Sequence, residues 1–388
     1  MTSDGIVIVG GGLAGQRCAE TLRRLGYTGA IRMVCAERHR PYDRPPLSKD
    51  VLSGEHPEES LPFKPAGWYQ EQEIDLLLGL KATALSAAER RVWLSDDTAL
   101  SYDRLLIATG SRSRGLPLLE GYGNVSVLRC LDDSKALRDV LCTRPRLAVV
   151  GAGFIGQEVA ATARKLGAEV TMIEAAPRPL AGVLGPELGE WFARLHRAEG
   201  VDLITDATVD RIDSGGEVGA LHLSNGAVVR TDHVVVGIGV QPDVEWLAGS
   251  GLSVDGGVPV DLHGATGIES VFAAGDAAAT YDPLTGRHEP GSHWEAAGRQ
   301  GARVAKLMLG LDPGPAPPTS FWTDQYGIRI QYLGRAALAD AYTIDGDMED
   351  RNFSATFTRN QRPVAALLVD RPHALPAARK LIDNGGSR

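Results

Sequence analysis

Cysteine is scarce in this 388-residue chain. Its four residues, Cys18, Cys35, Cys130 and Cys142, fall in no CxxC, CxxxxC or metal-ligand spacing. That excludes a disulfide framework and a zinc site, and Cys18 and Cys35 read as small buried hydrophobes on a helix and a strand. No apolar run reaches the ~20 residues that span a bilayer. The chain enters its first strand almost at once, so no signal or transit peptide is expected and the expected compartment is the cytoplasm. Basic charge is also lacking: 40 Lys and Arg face 49 Asp and Glu, a net charge of −9. Nucleic acid is therefore not the expected partner, and neither is a membrane. Hydrophobic content of 43% and charged content of 23% are ordinary for a globular protein, and the length allows two or three domains.

Glycine, by contrast, is placed with purpose. Gly10-Gly11-Gly12-Leu13-Ala14-Gly15 follows the apolar run Ile6–Val9, and Gly151-Ala152-Gly153-Phe154-Ile155-Gly156 follows Leu147–Val150. Each predicts a strand, a tight turn and a helix start. The first glycine permits the turn, the second lets backbone approach a pyrophosphate, and the third lets helix pack on strand. A helix N-terminus adds free N–H groups and a positive dipole end. One such turn is weak evidence. Here each is followed by a second strand ending in an acid, Glu37 or Glu174, roughly 20 residues past the last glycine, where a carboxylate can bond ribose hydroxyls. The copies also share Gln16/Ala19 and Gln157/Ala160 at matched offsets, as an internal repeat would. The reading is two nucleotide sites in an α/β chain. Glu174 would repel a 2′-phosphate, and Ala175 and Ala176 follow without an immediate Arg, so NADH is favoured over NADPH. Arg178 lies near enough to stack on adenine or meet a pyrophosphate.

The expected division is 1–112 with 244–317, then 113–243, then 318–388. The first part includes a hairpin (Ala82–Leu85 with Arg91–Leu94), the strand Arg104–Gly110, and a strand ending at Gly275-Asp276. A helix is predicted from about Trp294 to Leu309, stopped by Gly310. The Pro/Gly-rich stretch 312–318 reads as a linker. Short alternating runs beyond it predict an antiparallel C-terminal domain.

Several strings now act together: Pro41-Tyr42-Asp43-Arg44-Pro45-Pro46-Leu47-Ser48-Lys49, Ala108-Thr109-Gly110, the two glycine turns, Ala273-Ala274-Gly275-Asp276, and Phe321-Trp322-Thr323-Asp324-Gln325. Collinear over nearly the whole chain, they resemble the FAD-dependent NADH–ferredoxin reductases that serve oxygenase systems. The resemblance implies a glutathione-reductase-like fold, with two nested Rossmann-type dinucleotide-binding domains and a small α+β C-terminal domain. It implies that Gly10, Gly12, Leu13, Ala14, Gly15 and Glu37 hold the FAD pyrophosphate and ribose, with Ala82 meeting the adenine through its backbone. Arg44, Pro45, Lys49, Ala108, Thr109, Gly110, Arg129, Gly275, Asp276, His293 and Trp294 would line the rest, with Trp322 a further ring neighbour. For Asp276 a helix N-cap role is open as well, and for the two tryptophans a plain core role. On the NADH side it implies Gly151, Gly153, Phe154, Ile155, Gly156, Glu174 and the segment Gly237-Ile238-Gly239.

By the same resemblance Lys49 and Glu158 are the catalytic pair, an ammonium near flavin N5 countered by a carboxylate; without it they read as solvent charges. The disulfide reductases of this fold carry a CxxxxC pair just after the second strand, and related peroxidases and oxidases a single cysteine. Here Pro41–Lys49 contains none, so electrons should leave singly to a protein acceptor, a [2Fe–2S] ferredoxin, from a monomer or homodimer. Arg299, Arg303 and Lys306, at i, i+4, i+7 on one predicted helix face, could form a docking patch, though solvated helix charges are the plainer reading. The rival readings are a rubredoxin or nitrite reductase-type flavoprotein, and an NADH-sensing flavoprotein of the apoptosis-inducing-factor type.

Overall fold

Apolar residues at every position of Ile6–Val9 call for a strand covered on both faces, because successive side chains point to opposite sides. The computed structural model, which describes residues 4–283, 285–291, 294–314 and 319–385, places it so. Val7 and Val9 pack with Leu105, Ile107, Val92 and Leu94. Ile6 and Ile8 face the other way, toward Cys18, Leu22, Met33 and Val304. The chain divides into two units: Met1–Asp43, Glu59–Arg112 and Gln241–Pro317 make one, and Arg44–Glu58, Ser113–Val240 and Pro318–Arg388 the other.

In the first unit a five-stranded sheet runs Val271–Ala273, Arg104–Ile107, Ile6–Val9, Ile31–Cys35, Ile74–Leu78, all parallel. Helix Leu13–Arg24 packs against helix Trp294–Met308. The two approach so closely that a methyl group on Gly301 would lie 2.0 Å from the Ala14 carbonyl oxygen. The hairpin Ala82–Ser86 with Arg91–Leu94 is antiparallel, as its alternation predicts.

The second unit repeats the plan. Asp202–Ile204, Glu169–Ile173, Arg146–Val150, His233–Val236 and Val125–Ser126 form a parallel sheet in the corresponding order. Leu147 and Val149 pack on helix Phe154–Lys165 through Val159, Ala160 and Ala163. Ala148 and Val150 pack toward Leu221, Val234 and Val236. The same unit carries the antiparallel sheet Ser320–Gln325, Ile328–Gly334, Arg362–Val369, Asn352–Arg359, Ala341–Asp347. One face of that sheet shares a core with Leu188, Trp191, Phe192 and Leu195 of helix Pro186–Ala198. Its other face meets Ala378 and Ile382 of the terminal helix. Among the described residues no helix is long and apolar enough to cross a membrane.

Candidate active site

The three motif glycines of each turn (Gly10, Gly12 and Gly15 in the first) do different work, and the packing separates them. Gly10 has φ +122°, and a methyl group there would sit 2.0 Å from the Ala108 carbonyl oxygen; on Gly15 it would sit 2.1 Å from the Gly10 carbonyl oxygen. Both are closed to any side chain. Gly12 instead has extended backbone that any residue adopts (φ −76°, ψ −176°). A methyl on it would meet no atom of the described residues within 4 Å. The middle glycine is therefore required by something other than the protein's own packing. A pyrophosphate drawn against the N-terminus of helix Leu13–Arg24 fits that space.

The second turn matches. Gly151 (φ +104°) lies under the Gly237 carbonyl oxygen, 2.5 Å from where a Cβ would stand. Gly156 is closed by the Gly151 carbonyl oxygen at 2.1 Å, whereas at Gly153 the nearest atom is 4.0 Å away. Glu174 is pinned at the mouth of this turn: its two carboxylate oxygens accept from the N–H groups of Ala152 (2.7 Å) and Ala176 (2.8 Å). A carboxylate held there meets a ribose diol well and a 2′-phosphate badly. Arg178, which left the choice of nicotinamide open, is exposed and paired with Glu190 at 3.3 Å. Phe154 sits edge-on to Phe321, while Ile155 and Ile238 are exposed beside the turn. On the first turn's side, Glu37 accepts from the Tyr42 hydroxyl at 2.7 Å.

Lys49 and Glu158 are brought together inside the second unit. Lys49 Nζ lies 2.9 Å from Glu158 Oε2, with the side chains 11% and 3% exposed. The ammonium also donates to the Pro45 carbonyl at 3.0 Å. The carboxylate is fully engaged: Ser48 Oγ donates to Oε2 and Thr323 Oγ1 to Oε1 at 2.6 Å. Thr323 in turn accepts from Gln325 Nε2 at 3.1 Å. A buried ion pair stands only when its remaining lone pairs are satisfied, and here they are. This is a built pair, not two solvated charges.

The other expected residues are placed as follows. Arg44, before the short 3-10 turn Pro45–Ser48, donates to the Arg129 carbonyl at 2.7 Å. In the first unit, Ala82 is buried at the start of its strand, and Thr109 Oγ1 donates to the Asp243 carbonyl at 2.7 Å, just before Gly110 at φ +74°. Asp276 accepts from Ser111 Oγ at 2.7 Å, and Gly275 N–H donates to Gln300 Oε1 at 2.8 Å. No helix follows Asp276: it sits in a three-residue 3-10 turn that leads into strand Ala278–Asp282, so the N-cap alternative falls away. Trp294 Nε1 donates to Asp43 at 2.6 Å, and Trp322 is half-buried on its strand. His293 lies outside the described residues.

The expected basic helix face is corrected. Arg303 is buried and bonds the Leu262 carbonyl (3.2 Å) and His263 Nδ1 (2.7 Å), and Arg299 pairs with Glu295 one turn back. Helical spacing cannot foresee a segment some forty residues upstream folding over the flank of the helix.

Residues 4–301 match the model of the pyridine nucleotide-disulphide oxidoreductases, and residues 320–388 that of the reductase C-terminal domain. The chain belongs to the pyridine nucleotide-disulphide oxidoreductase family. It is 40% identical to the anthranilate 1,2-dioxygenase system ferredoxin–NAD(+) reductase component of Burkholderia cepacia, over 99% of this chain and 95% of that protein. It is 35% identical to putidaredoxin reductase of Pseudomonas putida over 98% and 92%. The crystal structure of the covalent putidaredoxin reductase–putidaredoxin complex superposes with a TM-score of 0.95 at 35% identity, covering 99% of this chain and 94% of that one. The resemblance read from the motifs stands, and so does the glutathione-reductase-like fold.

None of the four cysteines forms a disulfide, and Cys18 and Cys35 are buried as expected. Burial first, and the charge of Glu37 second, push the Cys35 thiol up to about 12, so it offers no thiolate at neutral pH. Sequence reasoning missed Ser48, Thr323 and Gln300. Ser48 and Thr323 sit inside strings already singled out, and a polar residue inside an otherwise specific apolar-aromatic string was the signal available.

Proposed function

We propose that this chain carries electrons from NADH, through FAD, to a ferredoxin that feeds an oxygenase. The single observation that carries the reading is the pair of turns, each closed at the first and third glycine of its motif and open at the second, in a chain with no cysteine in Pro41–Lys49 and with Cys35 buried. FAD, once bound, supplies the conversion of a two-electron donor into single-electron steps. The protein supplies the rest. The turn Gly10–Gly15 takes one pyrophosphate and Gly151–Gly156 the other, each on helix N–H groups. Glu37 and Glu174 take ribose hydroxyls. Lys49, held by Glu158 and Pro45, keeps a fixed positive charge in a nearly dry site, where it favours an electron-rich ligand.

The finer assignments are part of the same reading. The acceptor is a [2Fe–2S] ferredoxin, and the enzyme works in the cytoplasm as a monomer or homodimer; four cysteines outside any disulfide suit a reducing compartment. Segments 1–112 and 244–317 bind FAD, 113–243 binds NADH, and 318–388 is the C-terminal domain. The test is turnover of NADH with a [2Fe–2S] ferredoxin, set beside a disulfide substrate. Ferredoxin should be reduced and the disulfide should not, with NADPH a poor donor. Lys49→Met should keep its FAD and slow flavin reduction by NADH at least ~10-fold. Disulfide turnover, or an unchanged rate in Lys49→Met, would count against the reading.

A further inference from the structure

The second unit also holds a line of buried polar side chains that no step above uses. Gln157, the residue after the third glycine, has no exposed surface, and neither does His196. Gln157 donates from Nε2 to the Ala152 carbonyl inside the turn at 2.8 Å. Its Oε1 lies 3.1 Å from His196 Nε2, and His196 Nδ1 lies 2.7 Å from the Tyr326 hydroxyl. Chemistry fixes the direction of the chain. An amide oxygen only accepts, so Nε2 carries the imidazole proton, Nδ1 is bare, and the tyrosine donates to it. An unbroken relay thus runs from the turn between Ser320–Gln325 and Ile328–Gly334, through helix Pro186–Ala198, to the glycine turn.

One fact points this relay at the turn rather than at the core in general. Ala152 is held at both ends, its carbonyl by Gln157 and its N–H by Glu174 at 2.7 Å. Moving the relay would therefore move the carboxylate expected to read the ribose. In the first unit Gln16, at the same offset, is buried and accepts from the Tyr69 hydroxyl at 2.6 Å, but its Nε2 meets no hydrogen-bond partner, so the bond to the turn belongs to the second unit. What the two arrangements share is a glutamine behind a nucleotide turn.

We propose that Tyr326 and His196 are positioning residues that act through Gln157 on Ala152 and Glu174, and so set the affinity for NADH. The inference rests on the assignment of this turn to NADH. The C-terminal sheet, by this account, tunes cofactor binding through a buried wire of hydrogen bonds.

The test uses the FAD-loaded enzyme and three variants: Tyr326→Phe, Gln157→Leu, and the double variant Gln157→Leu/His196→Phe. The double variant removes both partners of the central hydrogen bond and leaves the Ala152 carbonyl and the half-buried Tyr326 hydroxyl without theirs, so it should melt no lower than Gln157→Leu, which also strands the His196 N–H. The expected result is a KM for NADH and a Kd for NAD+ raised roughly three- to tenfold in all three, with kcat within about twofold. A purely structural role would lower Tm and leave KM and Kd where they are, and that result overturns the proposal. A parent enzyme that neither binds NAD+ nor oxidises NADH would instead sink the assignment of the turn.

Discussion

At the residue scale two buried polar groups of the second unit behave differently because their partners differ. Glu158 has an ammonium and two hydroxyls around it. His196 has only neutral partners, and burial pushes its imidazole down to about 4. The unfolded chain protonates this histidine near 6.5, but the folded one not until about 4. Between those values the unfolded state binds more protons, so this group's contribution to stability is complete above pH 6.5 and lost as pH falls toward 4. Denaturant melts of the parent and His196→Phe, measured across that window, should diverge. The parent should lose up to about 1.4 kcal/mol per pH unit more than the variant. Parallel curves would show that His196 is not held neutral. The pairing of Lys49 with Glu158 was expected from the resemblance, but the hydroxyls around the carboxylate and the neutral surroundings of His196 were not legible beforehand. The carboxylate of Glu158 and the hydroxyl of Thr323 are 165 residues apart in sequence, and no local pattern in the chain links them.

At the scale of elements, the glycine turns were the most legible feature because their constraint is local. Strand, turn and helix lie within one short stretch, and Gly15 and Gly156 are closed by carbonyls five residues back, although Gly10 and Gly151 are closed by the distant Ala108 and Gly237 carbonyls. The hairpin and the C-terminal sheet were legible for a like reason, since alternation reports which face is buried. The helix Trp294–Met308 was legible as a helix but not in what flanks it, as Arg303 shows. The turns also make a prediction that separates folding from binding. Gly15→Ala must push the Gly10 carbonyl aside and should cost the apoprotein about 1–3 kcal/mol. Gly12→Ala meets open space, so the apoprotein should melt as the parent does and yet fail to take up FAD. Thermal melts of the apoproteins and FAD content after reconstitution check both. A stable Gly12→Ala variant that binds FAD normally would remove the argument for the open middle glycine.

For the whole molecule, the sequence repeat became a structural one: two parallel sheets of like strand order, each with one glycine turn at the end of its central strand. Two dinucleotide cradles, with no cysteine in Pro41–Lys49 and Cys35 buried, define a chain that receives electrons in pairs and releases them to an acceptor outside itself. The helix face of Arg299, Arg303 and Lys306 carried two readings, and the burial of Arg303 with the pairing of Arg299 to Glu295 removes the docking patch, the less favoured of the two. The most direct measurement is an anaerobic titration of the FAD-loaded protein, followed by its flavin absorbance. One equivalent of NADH should bleach the flavin, and two equivalents of oxidised [2Fe–2S] ferredoxin should restore it. A flavin that NADH leaves oxidised, or that stays reduced when ferredoxin is added, would contradict the account.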